Sequence, residues 1–101
     1  MKGHEYHVSV KHLRDAQGQP STHTEAIEFK AINHDDFFVN LAHLRKANLL
    51  DEESLKQLVV GMKLFGEVIM HNRDVPLFKE FFPDFVKFVH ALKATIPTEE
   101  K

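Results

Sequence analysis

The residues best suited to hold a ligand lie around position 70 of this sequence. Glu67 and His71 are four residues apart and so share one face of a helix, and Arg73 and Asp74 follow where that helix is predicted to end. A guanidinium group binds anions, and a carboxylate beside an imidazole can hold a cation or transfer a proton. These four residues are the candidate ligand-binding set. An ordinary structural role is the favoured interpretation, since Lys63 or His71 can pair with Glu67 along the helix, and Arg73 and Asp74 suit the end of one helix and the turn that follows.

A second group of polar residues, Asn-His-Asp-Asp at positions 33–36, contains metal-ligand types. All four fall within one predicted helical first turn, where consecutive side chains point in different directions. Asn33 suits the N-cap position, and the two aspartates lie where carboxylates meet the positive end of the helix dipole. The sequence therefore predicts a helix start here and no metal site.

The histidines of the first predicted strand do not converge either. His4 and His12 share one face of the strand and His7 lies on the other, so one ion cannot reach all three. The sequence has no glycine-rich phosphate loop, zinc-protease motif or nucleophile elbow. We expect no catalytic residues, metal or cofactor, and an enzyme is the least favoured class of function.

A different kind of site is indicated by a line of apolar residues on the same helix. Val60, Leu64 and Val68 are spaced four apart, on the side away from the main apolar arc. Such a line needs a cover, which is either the Phe-rich segment after Pro76 or a second copy of the protein. The three residues are the candidate interface.

Composition limits the classes of partner. Net charge is −2, from 13 basic and 15 acidic residues that are interspersed, which argues against nucleic acid. No apolar run approaches the ~20 residues needed to cross a bilayer, so we expect no membrane partner. The absence of cysteine excludes disulfides and thiolate catalysis and favours a cytoplasmic location. The eight histidines admit both neutral surface roles and a pH-sensing role.

The N-terminal part of the chain shows the alternation of strands. Residues 4–13 alternate, as do residues around Ile27 and Phe29, and the stretch between them is rich in turn-forming residues. The simplest pairing is an antiparallel hairpin with a long, mobile loop.

The rest of the chain shows helical spacing. Helices are predicted over 34–47, over 52–72 after an N-cap at Asp51, and over 83–95, with a short helix before a break at Pro83. The second helix is expected to be central, because it carries the widest apolar arc: Leu55, Leu58, Val59, Met62, Phe65, Ile69 and Met70. Gly61 and Gly66 lie inside or beside that arc and predict close approach of another backbone.

These elements predict an α+β fold, in which an N-terminal antiparallel β-hairpin packs against about three α-helices. A chain of 101 residues supports one hydrophobic core, so residues 1–101 are expected to form a single domain with a frayed tail at about 97–101.

Three stretches together resemble a known family: NHDD at 33–36, GMKLFGEV at 61–68 and NRDVPLF at 72–78. The family consists of short, uncharacterised bacterial proteins classed as a domain of unknown function. The resemblance spans nearly the whole chain, and its most specific part is residues 61–78. It implies a stand-alone bacterial cytosolic domain and brings no reaction, cofactor or catalytic residue.

Two functions remain from these observations. The first is a non-enzymatic protein-interaction or small regulatory module, with self-association or an unknown protein as partner. The alternative is a small-ligand or metal-binding protein with its site near the end of the second helix. A continuous apolar surface favours the former, and a cavity with convergent polar groups favours the latter.

Overall fold

The computed structural model describes residues 2–97 and separates the chain into two compact units, divided after His34. The first unit holds strands β1 (His4–Val10) and β2 (Ile27–Asn33). The second holds helices α1 (Phe37–Arg45), α2 (Glu52–His71) and α3 (Pro76–Lys93). The predicted α+β fold, a hairpin followed by three helices, is confirmed. That the whole chain forms one domain stays a prediction, and the tail expected to fray lies, from residue 98 on, outside the described residues.

The hairpin is an antiparallel pair in which His4 faces Asn33 and Val10 faces Ile27. β1 ends at Val10, earlier than the alternation predicted. Beyond Val10 the chain leaves the ladder with β2 and enters a separate hydrogen-bonded turn. In that turn the Asp15 carboxylate accepts hydrogen bonds from the backbone N–H of Gln17 at 2.9 Å and of Gln19 at 2.8 Å. Gly18 supplies the left-handed backbone conformation with φ of 84°. The long connection between the strands therefore contains a hydrogen-bonded turn, and its mobility stays a prediction.

Helix α1 begins three residues later than predicted, with Asp36 as its N-cap in place of Asn33. The Asp36 carboxylate accepts hydrogen bonds from the backbone N–H of Phe38 at 2.9 Å and of Val39 at 3.3 Å. Asn33 cannot cap a helix because it is still paired with His4 in the ladder. Both residue types suit a cap, and the end of strand pairing decides between them.

Helix α2 is the centre of the second unit, as predicted, because it packs against both α1 and α3. Asp51 caps it by accepting a hydrogen bond from the Ser54 backbone N–H at 2.8 Å. Hydrogen bonding from Ser54, first from its side chain and then from its backbone N–H, lowers the pKa of the Asp51 carboxyl. The buried core joins residues of all three helices, namely Leu44, Leu55, Val59 and Leu92.

The predicted break at Pro83 is wrong, since α3 runs from Pro76 through Pro83 to Lys93. Proline lacks the N–H that would bond to the carbonyl of Lys79, so the helix gives up one bond at this point. The aromatic rings of Phe81 and Phe85 stand on either side of Pro83 and lie 6.3 Å apart. Both also stack with Phe65 of α2, at 6.0 Å and 5.8 Å, and this packing holds the helix continuous through the proline.

The two glycines of α2 have different surroundings. A Cβ at Gly66 would lie 2.7 Å from Cζ of Phe85, so the close approach expected at this position is made by a ring of α3 and not by its backbone. A Cβ at Gly61 would meet nothing within 4 Å. Glycine inside a helix costs about 1 kcal/mol relative to alanine. The contact with Phe85 accounts for Gly66, while the described chain makes no contact that accounts for Gly61.

Gly66→Ala is expected to destabilise the protein by roughly 1–2 kcal/mol, because the new methyl group displaces the Phe85 ring and overpacking outweighs the gain in helix propensity. The free energy of unfolding in urea measures the effect. In a Phe85→Leu background the same glycine substitution should be neutral or stabilising. Equal losses in both backgrounds would show that the Phe85 ring is not the group that requires glycine.

The junction between α1 and α2 carries a two-point ion pair. The Arg45 guanidinium donates from Nε to Glu52 Oε1 at 3.1 Å and from Nη2 to Oε2 at 2.6 Å. Hydrogen bonding from Arg45 lowers the pKa of the Glu52 carboxyl, and the same bond raises the pKa of Arg45. Both groups are about half exposed, so solvent screens the pair.

The stabilisation from this pair should be lost in acid. A carboxyl whose pKa is lowered by folding stabilises the protein at pH values above its pKa in the unfolded chain. That stabilisation disappears as the pH falls through the lowered pKa of the folded state. Arg45→Gln should therefore reduce the free energy of unfolding at pH 7, and the difference from wild type should vanish toward pH 2. Urea denaturation at stepped pH values measures this. Lys87→Gln removes a positive charge from the exposed side of α3 and is the control. If this variant shows the same pH dependence of the free energy of unfolding, the loss comes from the change in net charge and not from the ion pair.

Candidate functional site

The four predicted ligand residues are divided between two local arrangements. His71 Nε2 and Glu67 Oε2 are 2.7 Å apart on α2, so these two are brought together. The Arg73 guanidinium carbon lies 5.2 Å from the centre of the Phe82 ring, a cation–π contact with α3. Asp74 lies in the turn between α2 and α3. Their role in ligand binding stays a prediction, and each of the first three residues has a structural partner within the chain.

The other groups with ligand-type side chains are engaged in structure where the chain is described. Asp36 caps α1, and Asp35 Oδ2 lies 2.8 Å from Nζ of Lys63. In the hairpin connection, the rings of His12 and His23 meet edge to face at 5.1 Å, and Nδ1 of His12 lies 2.5 Å from the Ser21 hydroxyl. Within residues 2–97 no three His, Asp or Glu side chains are grouped so as to hold a metal ion. In the same range no helix has the length and apolar character needed to cross a bilayer.

The predicted interface residues lie on the side of α2 opposite its buried core. At about 100° per residue, Leu64 is turned halfway round the helix from Leu55. Val60 is 38% exposed and Val68 52% exposed, while Leu64 is partly covered. Within the second unit, the outer two residues of this line are therefore in contact with solvent.

Two further residues belong to the same surface. Gly61 lies between Val60 and Leu64 and is exposed. Phe65 was predicted in the core arc, yet 48% of it is exposed, because it stands at the margin of that arc, where its ring packs against Phe81 and Phe85 of α3. We name this surface the α2 outer face, and it consists of Val60, Gly61, Leu64, Phe65 and Val68.

The α2 outer face carries no charge. The only charged residues of α2 between Leu58 and Met70 are Lys63 and Glu67. Their side chains are just 14% and 13% exposed, and they are engaged by Asp35 and His71 respectively. Covering the outer face therefore takes apolar side chains out of water without taking a charged group out of water. The free-energy cost of desolvating a charge does not arise at this surface.

Spacing in the sequence predicts Val60, Leu64 and Val68 as members of this surface, whereas Gly61 and Phe65 are not predicted to belong to it. Spacing places both residues next to the line, and Phe65 was assigned to the core because phenylalanine is usually buried. Helical spacing also separates the two glycines, since Gly66 falls within the core arc near the direction of Leu55 and Gly61 falls beside the exposed line.

Comparison with known proteins gives the family and no activity. A solved structure of a protein of unknown function from the bacterium Pectobacterium atrosepticum is 33% identical, with a TM-score of 0.77, over 92% of this chain and 99% of that one. None of the curated proteins matches the chain. Residues 4–94 match the family described as a domain of unknown function, DUF3861. The resemblance inferred from the sequence is confirmed, and the chain belongs to the DUF3861 family.

Proposed function

We propose that this protein is a non-enzymatic interaction module that forms a homodimer through the α2 outer face. The observation that carries the proposal is the exposure of Val60 and Val68 on an uncharged surface of the central helix. Contiguous apolar surface on a small domain marks a site of association more often than chance exposure does.

A second copy is the occupant that fits this surface best. Most soluble homo-oligomers are two-fold symmetric dimers, in which one patch meets the same patch on the partner. A two-fold axis near Gly61 sets the outer faces of two α2 helices against each other. The absent side chain at Gly61 then admits the partner backbone, which supplies a packing contact that residues 2–97 of the same chain do not make there.

The energetics favour a modest but specific contact. Fully burying a valine or phenylalanine side chain contributes about 1.5–3 kcal/mol before the cost of association is subtracted. Two copies each contribute Val60, Val68 and the exposed half of Phe65. The net charge of −2 per chain adds little repulsion between copies.

The alternative function, a ligand or metal site near the end of α2, has less support in the geometry. Glu67 and His71 satisfy each other, and Arg73 lies on the Phe82 ring. An enzyme has the least support, since the residue patterns contain no nucleophile motif. We also propose a cytoplasmic location, which the lack of cysteine favours.

Light scattering on a size-exclusion column across a concentration series should give the mass of a dimer for the wild type. Val68→Glu should shift the mass to that of a monomer, because a carboxylate at the contact would be buried without a partner. Leu77→Glu is the matched control, since Leu77 is 72% exposed on α3 and lies outside the outer face. A wild-type monomer at every concentration would end the homodimer proposal.

Gly61→Ala separates the role of this glycine in the helix from its role in association. In an isolated chain the substitution should stabilise α2 by about 1 kcal/mol, because a Cβ meets open space. In the dimer the added methyl group separates the two helices and weakens association. Urea denaturation of the Val68→Glu monomer with and without Gly61→Ala measures the first effect, and light scattering of the single variant measures the second. A Gly61→Ala protein that dimerises as well as wild type would place Gly61 outside the contact.

A further inference from the structure

The connection between β1 and β2 brings together two histidines that none of the roles above uses. The imidazole rings of His12 and His23 have their centres 5.1 Å apart and their planes at 69°, and both residues are exposed. The expectation of no metal site rested on the histidines of one strand, whereas His23 comes from the opposite side of the connection. Imidazole nitrogens are ligands that divalent transition-metal ions such as Zn²⁺ prefer.

Backbone hydrogen bonds fix the two segments that carry these rings. The Ser21 N–H donates to the Leu13 carbonyl at 3.0 Å, and Arg14 and Pro20 form an isolated antiparallel bridge just beyond that bond. The turn at Asp15 closes the same short ladder. Two ligands on facing segments of one ladder are positioned before an ion arrives, which lowers the entropy lost on binding.

The distance between the rings fits two ligands of one tetrahedral ion. A zinc–nitrogen bond of about 2.1 Å places the ion roughly 3.2 Å from the centre of each ligating ring. Two such rings at an angle of about 109° have their centres about 5.2 Å apart. The 5.1 Å between the rings of His12 and His23 matches this distance. Because His23 is exposed, its ring can turn about χ2 to direct a nitrogen at an ion held by His12.

Hydrogen bonding at Ser21 determines which nitrogen of His12 is free. Nδ1 of His12 lies 2.5 Å from Oγ of Ser21. The Ser21 hydroxyl donates its single proton to the His23 carbonyl at 3.4 Å and accepts from the His23 backbone N–H at 3.0 Å. Its second acceptor position then takes the Nδ1–H of His12, which leaves the lone pair of Nε2 for a metal. Histidines that bind metals usually have their other ring nitrogen held in this way.

We propose that His12 and His23 bind one divalent transition-metal ion of the zinc class, and that Ser21 positions His12 for it. Within residues 2–97 no third His, Asp or Glu joins the pair, so water completes the coordination. The ion ties the two sides of the connection together. This site lies within the first unit, whereas the α2 outer face belongs to the second, so the two proposals stand or fall separately.

NMR of the full chain with ¹⁵N-labelled histidines tests the proposal. In the metal-free protein the neutral His12 ring should carry its proton on Nδ1, and a proton on Nε2 instead would overturn the assignment of Ser21. Added Zn²⁺ should shift Nε2 of His12 and one ring nitrogen of His23 along the same saturable curve. Mg²⁺, which prefers oxygen ligands, should leave both rings unchanged. Zn²⁺ shifts confined to other histidines, or no shifts at a large molar excess of Zn²⁺, would overturn the site.

Isothermal titration calorimetry with Zn²⁺ assigns the ligands. His12→Ala and His23→Ala should each reduce binding to the level of a single surface histidine. Ser21→Ala keeps both ligands and should weaken binding about tenfold, as loss of a group that orients a ligand does, and Ser21→Thr should restore it. His90→Ala, which removes an exposed histidine of α3, is the matched control and should bind like wild type. Equal affinities of His12→Ala and His90→Ala would show adventitious binding by surface histidines and overturn the proposal.

Discussion

The need to cover helix α2 governs the arrangement of the second unit. The helix carries apolar residues around most of its circumference, and the polar strip at Lys63 and Glu67 is narrow. A helix apolar on most sides is stable in water only where several neighbours cover it. Helices α1 and α3 cover one side, which forms the core at Leu55 and Val59. The opposite side remains exposed at its margins, so the same property that builds the core also creates the outer face.

Local signals in the sequence predicted the parts of the fold that depend on few residues. The cap at Asp51 and the start of α2 were correct, because a side chain three residues from its own backbone partner needs no tertiary context. The hairpin was predicted for a different reason: the alternation of side chains marks each strand within a few residues, and two strands that follow each other in the chain pair most simply as an antiparallel hairpin. The start of α1 was wrong because two competent caps, Asn33 and Asp36, lie close together, and the length of the β ladder selects between them.

The errors in α3 and at Phe65 have a tertiary origin. Pro83 breaks a helix by intrinsic preference, but the stacked rings of Phe65, Phe81 and Phe85 hold the chain helical across it. Phe65 was predicted to be buried, and its place at the margin of the core arc leaves 48% of it exposed.

The contact between Gly66 and Phe85 fixes how α3 lies along α2. The Phe85 ring occupies the space left by the missing side chain. If α3 moved by one turn along α2, toward Leu55 or toward Met70, the ring would meet residues that have side chains. The two positions are therefore linked as a pair. Among members of the family, a larger residue at position 66 should occur together with a smaller one at position 85. Such paired changes would preserve the alignment of the two helices as the sequences diverge.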